Sequence, residues 1–154
     1  MKKLLVFAVV ITVAGSVSAQ DVMKVTLVKP ESLTWKDNPA LPKGAQSVTL
    51  LGDPTKAGEM VVTRTKLPAN YRVPPHTHPM AETVTVISGS VGFGMGEKFD
   101  DTKREMVKIG GFFAQPAQHA HFVWTGNEEA VIQVQYVGPG GVTYVNPEDD
   151  PRKK

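Results

Sequence analysis

His76 and His78 are separated by one residue, and Glu82 follows after three more. On a β-strand successive side chains point to opposite faces, so these three even-numbered residues would project to one side. Continuing through Thr83-Val84-Thr85-Val86, the same side carries Val84 and Val86, and the threonines take the other. The sequence thus predicts two imidazoles and a carboxylate on an inward, apolar face. An unpaired buried charge is expensive in such a place, and a bound divalent metal ion supplies the reason for it. A second pair, His119 and His121, follows Pro116-Ala117-Gln118. His119 closes a turn there, which favours an exposed or supporting position over a direct ligand role.

The elements that must position these residues are short. No 3.6-residue period persists through the chain after its first apolar stretch. Alternating runs rich in Val, Thr, Phe and Tyr recur instead, punctuated by Gly, Pro, Asn and Asp. The expected strands are 22–28, 46–51, 59–66, 71–73, 82–88, 90–94, 106–109, 112–115, 121–125 and 130–137. Gly89 is read as a hairpin turn, and the charged stretch 96–105 as a solvated hairpin loop. Many short strands with turn signals between them predict an all-β sandwich or barrel. Gly138-Pro139-Gly140-Gly141 reads as a break, and residues 138–154 as an irregular, exposed tail.

The start of the chain reads as a targeting segment. Met1-Lys2-Lys3 is basic, Leu4 to Ala14 is apolar but short for a membrane span, and Val17-Ser18-Ala19 has the small-residue spacing of a cleavage site. Residues 1–19 are therefore expected to be a cleaved secretory signal. Residues 20–154 would then form one exported domain, periplasmic or secreted, with a barrel core over about 45–137. Removing Lys2 and Lys3 takes the 17 Lys and Arg to 15, equal to the 15 Asp and Glu. No basic stripe remains to argue for nucleic acid, and no basic amphipathic helix argues for membrane binding after cleavage. There are no cysteines, so an exported chain must rely on its core, and on any metal, for stability.

On two motifs the chain resembles the cupins, a superfamily of small double-stranded β-helix (jelly-roll barrel) proteins. The first motif is Gly, five residues, His-x-His, three or four residues, Glu, six residues, Gly; His76, His78, Glu82 and Gly89 match it, with Asn70 at the first glycine. The second is Gly, five residues, Pro-x-Gly-x-x-His, three residues, Asn; Gly110, Pro116 and His121 match, with Gln118 and Thr125 at the third and last positions. Asn tolerates left-handed backbone angles, whereas Gln118 is awkward if its turn requires them. The resemblance implies an all-β cupin barrel holding one divalent transition metal per chain on His76, His78, Glu82 and His121. This donor set suits Fe, Mn, Ni, Cu or Zn and not Ca or Mg, which prefer oxygen. Four protein ligands on an octahedral ion would leave two positions for water, O₂ or a chelating anion. The resemblance also implies a homodimer, with residues 22–28 as the segment that would add to a partner's sheet.

Beyond the ligands, His119 and Gln133 are the candidates for acid–base or substrate-orienting roles. Gln133 and Gln135 share one face of 130–137, and Ile132, Val134 and Tyr136 share the other. Alternation does not say which face is internal, so both placements stay open. Arg64 and Arg72 could meet a substrate carboxylate, although solvent-facing strand arginines are commoner. Two functions follow. One is a metal-dependent enzyme, an oxygenase, isomerase or lyase acting on a small anionic molecule. The other is a non-catalytic binding or sensor protein, or a metal-stabilised scaffold, which would bind a small molecule without consuming it.

Overall fold

Alternating β-branched and polar residues form eleven strands in the computed structural model, which describes residues 25–100, 102 and 105–154. They are β1 (Lys36–Asp37), β2 (Gln46–Leu51), β3 (Met60–Leu67), β4 (Arg72–Thr77), β5 (Glu82–Ser88) and β6 (Ser90–Met95), then β7 (Met106–Lys108), β8 (Phe112–Gln115), β9 (His121–Thr125), β10 (Ala130–Val137) and β11 (Thr143–Tyr144). They build two sheets, one ordered β1-β2-β3-β10-β5-β8 and the other β11-β4-β9-β6-β7. Every pairing is antiparallel. This is the jelly-roll sandwich that the alternation and the turn spacing predict. Among the described residues no helix is long and apolar enough to cross a membrane.

The register of the larger sheet lays its inward side chains in three rows. Ser47, Thr65, Ile132 and Val86 form the first; Thr49, Thr63, Val134, Val84 and Phe113 the second; Val61, Tyr136, Glu82 and Gln115 the third. The core lies between the sheets, where Val84, Val86 and Ile132 meet Val73, Val91 and Val123 of the smaller sheet. One end of the interior is therefore closed by aliphatic side chains. The row containing Glu82 is polar.

Several expectations change. Gly89 is not a hairpin turn: β5 and β6 belong to different sheets, and Gly89 is the corner between them. Its φ of 68° and the Glu129 carbonyl, 2.3 Å from where a Cβ would sit, explain the glycine. Residues 25–28 form no strand; Val25 and Leu27 are exposed, while Thr26 and Val28 line a shallow groove with Leu51 and Val62. The rest of the 22–28 expectation, and the proposed signal 1–19, lie outside the described residues. The 71–73 strand runs on through Thr77. The segment after Val137 is built into the fold: β11 pairs with β4, the buried Tyr144 donates its hydroxyl to the Ala40 carbonyl at 2.9 Å, and the Asp150 carboxylate holds Arg152. Gly and Pro marked a real break there, but the buried Tyr144 gives the residues after it a place in the core.

Candidate metal centre

The histidines reach one point by a route other than the single strand predicted. His76 lies in β4 of the smaller sheet, His78 follows the end of that strand, and Glu82 opens β5 of the larger sheet. Parity on one strand therefore does not hold between Thr77 and Glu82, where the chain crosses between sheets. Parity also shifts inside β4. Val73 pairs with Val123, but His76 rather than Pro75 pairs with His121, so β4 carries one extra residue. Pro74 and Pro75 occupy this bulge, and neither has an N–H to give to a ladder. The bulge lets Val73 and His76 both face inward and sets His76 directly opposite His121.

Backbone carbonyls fix all three rings. The Nδ1 atoms of His76, His78 and His121 donate to the carbonyls of Pro74 (2.7 Å), Gly141 (2.7 Å) and His119 (3.0 Å). A carbonyl can only accept, so each Nδ1 holds the proton and each Nε2 keeps its lone pair free. The ring centroids are 4.3, 4.9 and 5.1 Å apart, and one ligand atom from each histidine lies within 4.8 Å of the others. His76 and His121 are buried. Burial, then the neighbouring His121 and His78, pushes His76 down to about 3; burial and His121 push His78 down to about 4; burial lowers His121 as well. Three neutral imidazoles held in one tautomer are what a soft or borderline divalent ion requires.

Glu82, expected as the fourth ligand, adjoins the three-histidine cluster from the opposite sheet but is not one of its converging donors. Its Oε1 lies 3.2 Å from His78 Nδ1, and its Oε2 accepts from Gln115 Nε2 at 3.2 Å. Burial raises its carboxyl to about 8, against the lowering effect of the Gln115 hydrogen bond. At neutral pH the metal-free cluster is thus nearly uncharged. A dication would reverse this by favouring the carboxylate. The free Nε2 atoms, the adjoining carboxyl and the buried, unpartnered Gln115 Oε1 beside it fit a metal ion. His76, His78 and Glu82 line a cavity of about 460 Å³, within the range of small-molecule sites.

The other candidates fall elsewhere. His119 is exposed; its carbonyl, not its ring, serves the site by holding His121. Gln133 and Gln135 face outward, because Ile132, Val134 and Tyr136 line the cavity from the other face of β10. Gln133 instead accepts from Arg64 Nε at 3.1 Å, and Arg72 packs its guanidinium 5.0 Å over the Phe99 ring. Both motif departures carry glycine-like backbone: φ is 55° at Asn70 and 60° at Gln118. Gln118 accepts a strain of roughly 1–2 kcal/mol, and its N–H donates to the His78 carbonyl at 2.9 Å. Sequence reasoning missed Gln115, Gly141, Tyr136 and Tyr144. Tyr136 was within reach of the alternation once the face of β10 was fixed; Gly141 left no side-chain signal at all.

The chain belongs to the family described as "Domain of unknown function (DUF4437)", whose model matches residues 16–139. No curated protein matches it. Its fold is that of the cupins. Similar solved structures include the polyketide cyclase RemF from Streptomyces resistomycificus, 23% identical with a TM-score of 0.66, covering 84% of this chain and 92% of that one. An RmlC-like cupin protein from Ralstonia eutropha is 15% identical with a TM-score of 0.63, covering 83% and 76%. The DMSP lyase DddQ from Ruegeria pomeroyi is 18% identical with a TM-score of 0.60, covering 75% of this chain and 62% of that one.

Proposed function

We propose that this DUF4437 cupin is a metal-dependent enzyme, an oxygenase, isomerase or lyase that acts on a small anionic molecule. The observation that carries the reading is the set of three Nδ1–carbonyl bonds, which leaves each Nε2 lone pair free in a cluster of three rings, two of which, His76 and His78, line the cavity. His76, His78 and His121 would hold one Fe, Mn, Ni, Cu or Zn ion, with Glu82 as the fourth ligand. Bound there, the ion supplies Lewis acidity or redox chemistry. Gln115 orients the Glu82 carboxylate by its hydrogen bond, and Val73, Val123 and Val134 exclude water from the cavity wall. Two similar folds, a polyketide cyclase and a DMSP lyase by their descriptions, support turnover in a cavity of this kind.

Binding without turnover is the second reading, favoured by the placement of His119 and Gln133 outside the cavity. Substrate-dependent product formation would eliminate it. Export through the 1–19 signal and pairing of two chains complete the proposal. Elemental analysis of protein from the exported fraction, beside His76→Ala, is the test. About one transition metal per chain is expected in the wild type and none in the variant, and light scattering of the wild type should give twice the chain mass. Absence of metal from both, with folding intact, would overturn the enzyme reading.

A further inference from the structure

The inward rows of the larger sheet contain two kinds of hydroxyl. In the first row Ser47 and Thr65 are 3.0 Å apart, and Asn38 Nδ2 donates to Ser47 Oγ at 3.0 Å. Those groups satisfy one another and brace the strand β1–β2 region. In the next rows Thr49 and Thr63 stand directly opposite each other on β2 and β3, and Tyr136 lies one row further on, beside Glu82. All three line the cavity that reaches the histidines. Among the described residues none of these three hydroxyls has a hydrogen-bond partner. Gly140 leaves Tyr136 its space, since a Cβ at 140 would sit 2.6 Å from the phenolic oxygen.

We propose that Thr49, Thr63 and Tyr136 form a second binding subsite, which takes the uncharged, hydroxyl- or carbonyl-bearing end of a ligand whose other end chelates the metal. The proposal rests on the metal reading above and specifies its substrate class. Hydroxyls both donate and accept, so they suit neutral oxygen groups without selecting for charge. Two cationic side chains line this cavity: Lys36 is exposed on β1, opposite Ser47 of the first row, and Arg152 is already engaged, donating to both Asp150 oxygens, at 2.7 and 2.9 Å, and to the Val142 carbonyl at 2.9 Å. A second anionic group would find no unpaired guanidinium there. Val134 separates Thr63 from Glu82's strand, so a short carbon skeleton would bridge the two polar ends.

The test uses the mature protein loaded with Co(II), whose d–d absorption reports ligation. Two hydroxy acids with the same chelating head are titrated: 2-hydroxybutanoate, with an apolar tail, and 2,3,4-trihydroxybutanoate, with a hydroxylated one. The trihydroxy acid is expected to bind about fivefold to tenfold tighter, the order set by one or two net hydrogen bonds. In Thr49→Val/Thr63→Val and in Tyr136→Phe, at unchanged Co(II) content, that preference should fall toward one. Equal affinities in the wild type, binding of neither acid, or a preference that survives both variants would overturn the subsite while leaving the metal centre standing. Failure of the wild type to take up Co(II) would overturn the metal reading itself, and the subsite with it.

Discussion

The two halves of the candidate metal site, the histidine cluster and the adjoining Glu82, are held by different means. On the smaller sheet, two of the three histidines are fixed by carbonyls only two residues away, Pro74 for His76 and His119 for His121. On the larger sheet, Glu82 is fixed by a side chain, Gln115, on the neighbouring strand. Backbone anchors survive nearly any side-chain substitution; a side-chain anchor is lost with one. The histidine half should therefore behave as a rigid platform and the carboxylate half as the adjustable part of the site.

Replacing Glu82 by Gln should separate the halves most sharply. Metal should still bind to the three histidines, with affinity lowered by at least about tenfold, the lower end of what loss of supporting groups costs at metal sites. Retention of full affinity would remove Glu82 from the donor set. The pH dependence follows from the same contrast. The folded-state values of His76 and His78 are depressed to about 3 and about 4, so the metal-free protein loses stability as pH falls from about 6.5 toward those values. Glu82 is raised to about 8, so its contribution is fullest below about 4.5 and is lost as pH rises from there to about 8. The histidines outweigh it below 6.5, and above 6.5 it acts alone. Thermal melts of chelator-treated protein should peak near pH 6.5, and Glu82→Gln should flatten the limb above that pH and steepen the one between about 4.5 and 6.5. An unchanged alkaline limb in that variant would place the titration elsewhere.

A smaller effect is expected from Gln115→Ala, which frees the carboxylate without removing it. Metal affinity should fall by about tenfold, less than in Glu82→Gln, with the three-histidine spectrum of a Co(II) form preserved. A loss as large as that of Glu82→Gln would mean that Gln115 supports more than the carboxylate. Least of all should come from Gln133→Ala and His119→Ala, because one side chain faces outward and the other is exposed. Unchanged metal content and stability, within about 0.5 kcal/mol, is the expected result; a change in metal content would show that the two faces of β10, or the two sides of the 116–121 turn, communicate.

Alternation and turn residues made most of the fold legible, because a half-buried strand cannot hide its period. They failed where the reason for an element lies in tertiary packing. Residues 25–28 have strand-like composition but no partner strand, and Thr143–Tyr144 has little strand signal but a buried ring and an open edge of β4 to pair with. The spacing of His76, His78, Glu82 and His121 named the right neighbourhood, yet the single-strand argument reached it wrongly. A bulge at Pro74-Pro75 and a crossing between sheets, two breaks in parity, were invisible to a count of even and odd positions. Gln115 was hidden for another reason: its role depends on which residue of β5 it faces, and register is a property of the assembled sheet.

The Gly141 carbonyl that receives His78 Nδ1 has an implication in time as well as in space. Translation and any export deliver the chain from its first residue onward. Both histidine motifs and Glu82 are therefore out and able to fold before Gly141 arrives. Until it does, His78 lacks its anchor and His76 lacks the Tyr144 ring, 5.9 Å away, on its outer side. An ion bound at this cluster would thus be taken up last, by a nearly complete barrel, and its identity would follow from whichever metal is available at that moment.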